Sequence, residues 1–194
     1  NAVIGSLIFC SEKKYGTKRN NPFCGDPLRY IKKTDLNEQY DFDGTFSSTL
    51  TKVLRNELIA RKQQGHLTNG IQTSGNIFSI KSVVESKIEC IIRTEIEKYR
   101  QSFNFSKEGF LKKWPESYTL FGWLVSMRSG GKLDPHMHDT GWLTGSVYIN
   151  VPSRSEPHSG SLVLCPNDKK IDFREGMGEG EGTVVDVETA SMCL

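Results

Sequence analysis

Two stretches in the first half of the chain have apolar residues at helical spacing. The first stretch, residues 46–64, contains Phe46, Leu50, Val53, Leu54, Leu58 and Ile59. The second stretch, residues 79–101, contains Ile80, Val84, Ile88, Ile91, Ile92 and Ile96. An apolar stripe that returns every three or four residues is typical of an amphipathic helix. The pattern therefore predicts one helix in each stretch.

The other parts of the first half lack this periodicity. Residues 1–45 are rich in Gly, Pro, Asn and basic residues, and we predict an irregular N-terminal segment there. Within this segment, the short apolar run of residues 2–10 predicts a buried strand. Residues 66–76 are predicted to be a loop because of their turn-forming residues.

From residue 118 onward, apolar and polar residues alternate with the period of a β-strand. The alternation predicts four strands, at residues 118–130, 142–151, 160–166 and 182–194. Residues 167–182 are glycine-rich and acidic, and we predict a loop that is either a lid over a substrate or plain surface. Helices followed by several short strands predict an α+β fold whose strands form a sandwich or jelly roll. One domain is expected, at residues 46–194.

Composition and charge narrow the class of protein. The chain has 194 residues, of which 36% are hydrophobic and 25% charged, as in soluble globular domains. Lys and Arg number 25 against 23 Asp and Glu, so the balance predicts no nucleic-acid-binding surface. No apolar run approaches the roughly 20 residues of a membrane helix, and no membrane association is predicted.

The cysteines predict the redox compartment of the protein, and the ends of the sequence predict that it is part of a longer chain. Five scattered cysteines without a CxxC pair argue against a disulfide framework and favour a reducing, cytoplasmic compartment. The sequence begins at Asn1 and stops within an apolar run at Leu194. We therefore expect it to be part of a longer protein.

Two of the four histidines, His136 and His138, lie one residue apart just before a predicted strand. In extended backbone, residues i and i+2 point to the same side, so both imidazoles could reach one ion. Pro135 stiffens the approach, and the pair Gly130 and Gly131 permits a tight turn before it. Imidazole suits Fe, Zn, Cu or Ni. The alternative is a pair of solvated side chains in a polar loop.

The residues that follow extend the pattern. They include Gly141, Trp142, Leu143, Thr144, Gly145, Tyr148 and Pro152. Together with the histidines they resemble the iron- and 2-oxoglutarate-dependent oxygenases. The likeness is greatest to a group with His-x-His before Gly-Trp-Leu-Ser-Gly, which is often attached to tetratricopeptide repeats. Weaker likeness in FGWLVSMRSGG, NPFCGDPLRYIKKTDL and NGIQTSGNIF extends the resemblance over residues 22–194.

The resemblance implies a double-stranded β-helix, a form of jelly roll, that binds Fe(II) and 2-oxoglutarate, with ascorbate left open as a further cofactor. Such enzymes hold iron with two histidines and one carboxylate. His136 would take the first histidine position and His138 the position of the acid, which departs from the family pattern. Asp134 or Asp139 could supply a carboxylate instead. Asp139 is less favoured because its side chain would face away from both histidines.

The resemblance also implies a cosubstrate residue. Tyr148 would reach the far carboxylate of 2-oxoglutarate from a strand whose polar face, including Ser146, points inward. Its alternative role is that of an ordinary core residue. The distal histidine and the arginine of the family are expected beyond Leu194, because His66 and His158 are poor replacements. Trp123 and Trp142 are expected in the core, or else at the mouth of the site.

The implied function is hydroxylation of an unidentified protein or small-molecule substrate with O₂ and 2-oxoglutarate. The metal supplies the chemistry, so no side chain is assigned a catalytic role. Two alternatives stay open. One is a cupin-like metal-binding protein, although the glutamate expected after its histidines is missing. The other is a non-catalytic β-sandwich that binds a partner.

Overall fold

Helices and short antiparallel strands make up the regular structure of the chain. The computed structural model describes residues 2–16, 20–40, 42–55, 61–62, 65–81, 83, 87–154, 156–164 and 183–194. The helices are α1 (Ala2–Tyr15), α2 (Asn37–Tyr40), α3 (Phe42–Arg55), α4 (Ile88–Ser102) and α5 (Gly109–Lys112), with 3-10 turns at Pro27–Tyr30 and Ile77–Ser79. The strands are β1 (Lys33–Asp35), β2 (Arg61–Lys62), β3 (Leu67–Thr73), β4 (Val125–Leu133), β5 (Ser146–Tyr148), β6 (Leu162–Leu164), β7 (Thr183–Val185) and β8 (Ser191–Cys193).

Helix α4 buries the stripe that its sequence predicts. Its buried residues include Ile88, Ile91, Ile96 and Tyr99. The helix begins after Lys87, which has a left-handed backbone with φ of 62°. The described part of the predicted helix at 79–101 is therefore confirmed from Ile88, and the helix ends one residue later than predicted.

A buried polar group ties α2 to α4. Glu95 of α4 is only 2% exposed, and its Oε1 accepts hydrogen bonds from Tyr40 Oη at 2.6 Å and from Lys98 Nζ at 2.8 Å. Lys98 also donates to Gln39 and to Tyr40. We call these four residues the Glu95 cluster. A buried carboxylate is tolerated only when it is paired and hydrogen-bonded, so the cluster fixes how α2 docks on α4.

The described strands form three antiparallel sheets. In the first, β8 lies between β1 and β5, so that Met192 stands opposite both Thr34 and Val147. The second has the order β2-β3-β4, and the third pairs β6 with β7. The first sheet thus joins an early strand to the last described strand of the chain.

The main hydrophobic core lies between the helices and the sheet centred on β8. It is formed by Leu36, Phe42, Leu50, Val53, Ile77, Val83, Ile88, Ile91, Leu124, Ala190 and Met192, with Val147 and Ile149 packed against it. Alternation along β5 therefore places Val147 and Ile149 on the core side and leaves Ser146 and Tyr148 on the opposite face. The strand has one apolar and one polar face, but the apolar face packs on the main core, so the predicted inward orientation of the polar face is not observed there.

Several predictions of local structure are wrong. Residues 2–10 belong to helix α1, not to a strand, and the segment 1–45 also holds α2 and β1. A short apolar run has no periodicity that separates strand from helix, which explains the error. The predicted loop at 66–76 contains β3, because pairing with β4 supplies hydrogen bonds that outweigh its local turn signals.

Other predicted element boundaries differ from the observed ones. The described part of the predicted helix at 46–64 begins earlier, at Phe42, and residues 61–62 are a strand. The stretch 182–194 forms two strands, β7 and β8, separated by a turn in which Ala190 has φ of 63°. The strands predicted at 118–130, 142–151 and 160–166 overlap β4, β5 and β6, and β4 begins later and ends three residues later than predicted. The predicted loop at 167–182 lies outside the described residues.

The described residues contain both helices and antiparallel sheets, in an α+β mixture. A double-stranded β-helix stays a prediction, since the described strands form sheets of three, three and two strands. In the described portion of the chain, no helix combines the length and the apolar character that crossing a bilayer requires.

Candidate functional site

The β3–β4 pair brings distant parts of the sequence to the two predicted ligands. Leu67 stands opposite Leu133, and the backbone N–H of Asp134 donates to the carbonyl oxygen of His66 at 2.8 Å. The register shifts between Thr68 and Gly70, where β4 accommodates extra residues. His66 at the start of β3 therefore lies beside the end of β4, from which the chain continues to the two histidines.

The glycine pair of β4 makes this irregularity possible. Gly130 has φ of 71°, a conformation that glycine adopts without steric cost. A Cβ atom at Gly131 would lie 2.8 Å from both the Arg128 carbonyl oxygen and Met127 Cβ. In place of the predicted tight turn, the glycine pair lies within β4, in the stretch where its register with β3 shifts.

Five rings from three segments lie in one row, which we call the aromatic row: His66, His136, His138, Trp123 and Phe121. The ring centroids of successive members are 5.7, 4.9, 5.2 and 6.1 Å apart. The rings of the first pair are nearly parallel, at 8°, and those of the second pair are perpendicular, at 86°. The structure therefore places the two predicted ligands side by side and adds a third histidine.

Trp123 enters the aromatic row from a segment that is hydrogen-bonded to β3 and its continuation. The Leu124 N–H donates to Thr73 Oγ1 at 3.0 Å, and the Thr73 N–H donates to the Leu124 carbonyl oxygen at 3.0 Å. The Gly122 N–H donates to Asn76 Oδ1 at 3.0 Å. Because both neighbours of Trp123 are held in this way, its ring has a fixed base from which to pack against His138.

A single hydrogen bond defines the proton position on His136. Its Nδ1 lies 2.9 Å from the carbonyl oxygen of Asp134. A carbonyl oxygen can only accept, so Nδ1 must bear the hydrogen and Nε2 of the neutral ring holds the lone pair. Metal-binding histidines commonly donate their second ring N–H to a backbone carbonyl in this way. Nε2 is thus the atom of His136 that is prepared to bind an ion.

His138 is kept neutral by its surroundings. Burial lowers its pKa below the ordinary histidine value, and the neighbouring His136 lowers it further, while Asp139 acts weakly in the opposite direction. A histidine must be deprotonated to bind a metal. The lowered pKa therefore favours the form of His138 that could act as a ligand.

The spacing of the two rings permits binding of a common ion. With a metal–nitrogen bond of about 2.1 Å, two imidazoles in adjacent coordination positions have centroids roughly 4.6–5.3 Å apart. The observed 4.9 Å lies within this range. The residues present thus fit two of the ligands of an iron site.

The structure does not identify a third ligand. Asp134, one of the two carboxylates considered, pairs with Lys132 Nζ at 2.9 Å. Among the described residues, no group of three or more His, Cys, Asp or Glu is placed to hold an ion.

Tyr148 lies on β5, opposite Ser191 of β8, on the face turned away from the main core. Burial raises the pKa of its hydroxyl group, as does the nearby Cys193, and a hydrogen bond with Ser146 acts in the opposite direction. The phenol therefore remains protonated and able to donate. In the part of the chain described, Tyr148 has no hydrogen bond or ring contact with His136 or His138, so its place in the same site stays a prediction.

His158 belongs to a separate cluster. Asp186 Oδ1 accepts hydrogen bonds from Arg154 Nη1 at 2.5 Å and Ser161 Oγ at 2.7 Å, and lies 3.3 Å from His158 Nδ1. Hydrogen bonds from Ser161, Arg154 and His158 hold the pKa of Asp186 well below its usual range. An open cavity of about 430 Å³ is lined by Arg154, Glu156, Pro157, His158 and Asp186, none of them a predicted ligand. His158 lies in a turn, and its contacts are with this cluster and not with His136 or His138.

The two tryptophans differ from expectation in different ways. Trp142 is 46% exposed, and its Nε1 donates to the carbonyl oxygen of Phe110 at 3.1 Å, so the prediction that it lies in the core is wrong. Trp123 is partly buried, but against the ring of His138. Tryptophan is rarely fully buried because of its size and its polar N–H, which is consistent with the position of Trp142.

Comparison with protein-family models, with curated proteins and with solved structures finds no match for this chain. The resemblance to oxygenases therefore stays a prediction from the residues of the motif.

Proposed function

We propose that the protein is an Fe(II)- and 2-oxoglutarate-dependent oxygenase that hydroxylates a protein or small-molecule substrate in the cytoplasm. One observation supports this proposal above the others. His136 and His138 lie at the separation of two ligands of one ion, and the Asp134 carbonyl directs the lone pair of His136 to Nε2. The family motif that follows them gives this pair its interpretation.

The chain's own residues would have defined tasks. His136 and His138 would hold the iron, and the Tyr148 hydroxyl would donate to the far carboxylate of 2-oxoglutarate. Trp123 would exclude water from one side of His138, since the two rings are 5.2 Å apart. When bound, the iron and its cosubstrate supply the oxidising chemistry that amino-acid side chains lack. No third iron ligand is assigned, since within the described part of the chain no group of three or more His, Cys, Asp or Glu is placed to hold an ion.

The test is the conversion of 2-oxoglutarate to succinate by the full-length protein, with and without Fe(II) and O₂. We expect turnover that requires both. His136→Ala should abolish it and lower iron affinity at least about tenfold, because one of the ligands is lost. The matched control is His158→Ala, which removes an exposed histidine of the separate cluster and should leave iron affinity unchanged. Equal iron affinity in the two variants would contradict the assignment.

A binding module without oxygenase activity is the second candidate. The lack of a third donor among the described residues favours it. The same experiment separates the candidates. Metal binding without 2-oxoglutarate binding would favour a cupin-like protein, and binding of neither would favour a non-catalytic sandwich.

A further inference from the structure

We propose that His66 is a positioning residue, which holds the ring of His136 in the orientation that a metal ligand requires. The inference rests on the proposed function, in which His136 binds the ion. It adds a residue that the motif does not contain, since seventy positions in the sequence separate the two histidines.

Three contacts connect these two residues in a closed loop. The His66 carbonyl oxygen accepts from the Asp134 N–H at 2.8 Å. The Asp134 carbonyl oxygen in turn accepts from Nδ1 of His136 at 2.9 Å. The ring of His136 then lies parallel to the ring of His66, with centroids 5.7 Å apart. The peptide that orients His136 is thus anchored on the same residue whose ring flanks it.

The ring geometry assigns His66 a supporting role. The lone pair of an imidazole nitrogen lies in the plane of its ring, and a bound metal lies close to that plane. The rings of His66 and His136 are within 8° of parallel with centroids 5.7 Å apart, whereas those of His136 and His138 have centroids 4.9 Å apart, within the range for two ligands of one ion. Among the described residues, the three histidines are not placed as a group that could hold an ion, so we assign His66 a supporting role and not that of a third ligand.

The stack and the hydrogen bond restrict different motions. The hydrogen bond fixes which nitrogen bears the proton, and the flat face of His66 limits rotation of the His136 ring about its Cβ–Cγ bond. A ring free to rotate would exchange its Nδ1 contact for water and would present either nitrogen to the ion. Orienting contacts of this kind typically alter metal affinity by about 10- to 100-fold when they are removed.

The first test uses the metal-free protein and does not depend on the proposed function. Nitrogen-15 NMR of the side chains reports which nitrogen of His136 bears the proton. We expect the Nδ1–H form in the parent protein and in His66→Phe, which retains a flat ring. His66→Ala should give a mixture of both forms. A pure Nδ1–H form in His66→Ala would overturn the inference.

The second test measures the affinity of the full-length protein and its variants for Co²⁺ alone, followed by its visible absorption. His66→Ala should bind about tenfold more weakly, whereas His66→Phe and the control His158→Ala should stay within about twofold of the parent protein. Equal weakening in His66→Phe and His66→Ala would show that His66 acts through its nitrogens, and would overturn positioning by stacking. Thermal unfolding confirms that each variant is folded. If the parent protein binds no Co²⁺, the proposed function fails, and the NMR comparison still decides the role of His66.

Discussion

The Glu95 cluster and the aromatic row both bring polar side chains together from distant parts of the sequence. The two regions differ in how far the protein itself supplies hydrogen bonds to those side chains. Glu95 is almost fully buried, and its carboxylate has hydrogen bonds from both Tyr40 and Lys98. His136 and His138 are only partly buried. Within the described residues, Nε2 of His136 and both ring nitrogens of His138 have no protein hydrogen bond.

This difference separates a structural role from a binding role. Burying a polar group costs free energy unless its hydrogen bonds are satisfied, and the Glu95 cluster meets that requirement from within the protein. The partly buried rings of His136 and His138 have centroids 4.9 Å apart, and their unpaired nitrogens can be satisfied by water or by an ion. The comparison therefore predicts that changes near Glu95 reduce stability, whereas changes in the aromatic row reduce metal binding.

The largest contrast in stability should come from a core residue of helix α3. Leu50 is fully buried, so Leu50→Ala should lower the free energy of unfolding by about 2–5 kcal/mol. His136→Ala should change it by less than about 0.5 kcal/mol, since its ring is partly exposed and lies outside the core. Urea denaturation measures both values. A loss for His136→Ala as large as that for Leu50→Ala would mean that the aromatic row is part of the core.

A smaller loss is expected for Glu95→Gln, which keeps the size of the side chain and removes its charge. The bonds to Lys98 and Tyr40 weaken, and we expect a cost of about 1–3 kcal/mol at pH 7. Glu97→Gln is the matched control on the same helix. Its side chain is 46% exposed and is 3.8 Å from Arg100, and such surface pairs contribute about 0–1 kcal/mol.

The loss of stability at acidic pH tests the contribution of the Glu95 charge. Burial alone would raise the pKa of Glu95, but hydrogen bonds from Lys98 and Tyr40 outweigh it, so the pKa is lowered overall. A carboxylate with a lowered pKa stabilises the folded state above the ordinary value of about 4.3, and the contribution is lost as pH falls through the folded-state pKa. The difference between the parent protein and Glu95→Gln should therefore shrink below about pH 4. A constant difference would show that charge is not its cause.

The same two regions show what could be predicted from the sequence. The stripe of α4 and the two faces of β5 were predictable because regular periodicity records burial directly. His136 and His138 were predictable as a pair because only one residue separates them. His66 was not, since its approach to His136 depends on the pairing of β3 with β4 across more than fifty residues. Thr68, Ile71 and Thr73 favour a strand, but Asn69 and Gly70 between them are typical of a turn.

The smallest effect concerns the coupling of the two predicted ligands. Burial and then the neighbouring His136 lower the pKa of His138. In the metal-free protein, His138 should therefore titrate below the ordinary value of about 6.5, and His136→Ala should raise its pKa partway back, because burial remains. Proton NMR titration of the His138 ring measures this shift directly.

Since the folded state resists protonation of His138, the protein should lose a little stability as pH falls through about 6.5, and His136→Ala should lose less. An unchanged His138 pKa in His136→Ala would mean that the two rings do not interact in solution, and the pair would no longer support a shared ion.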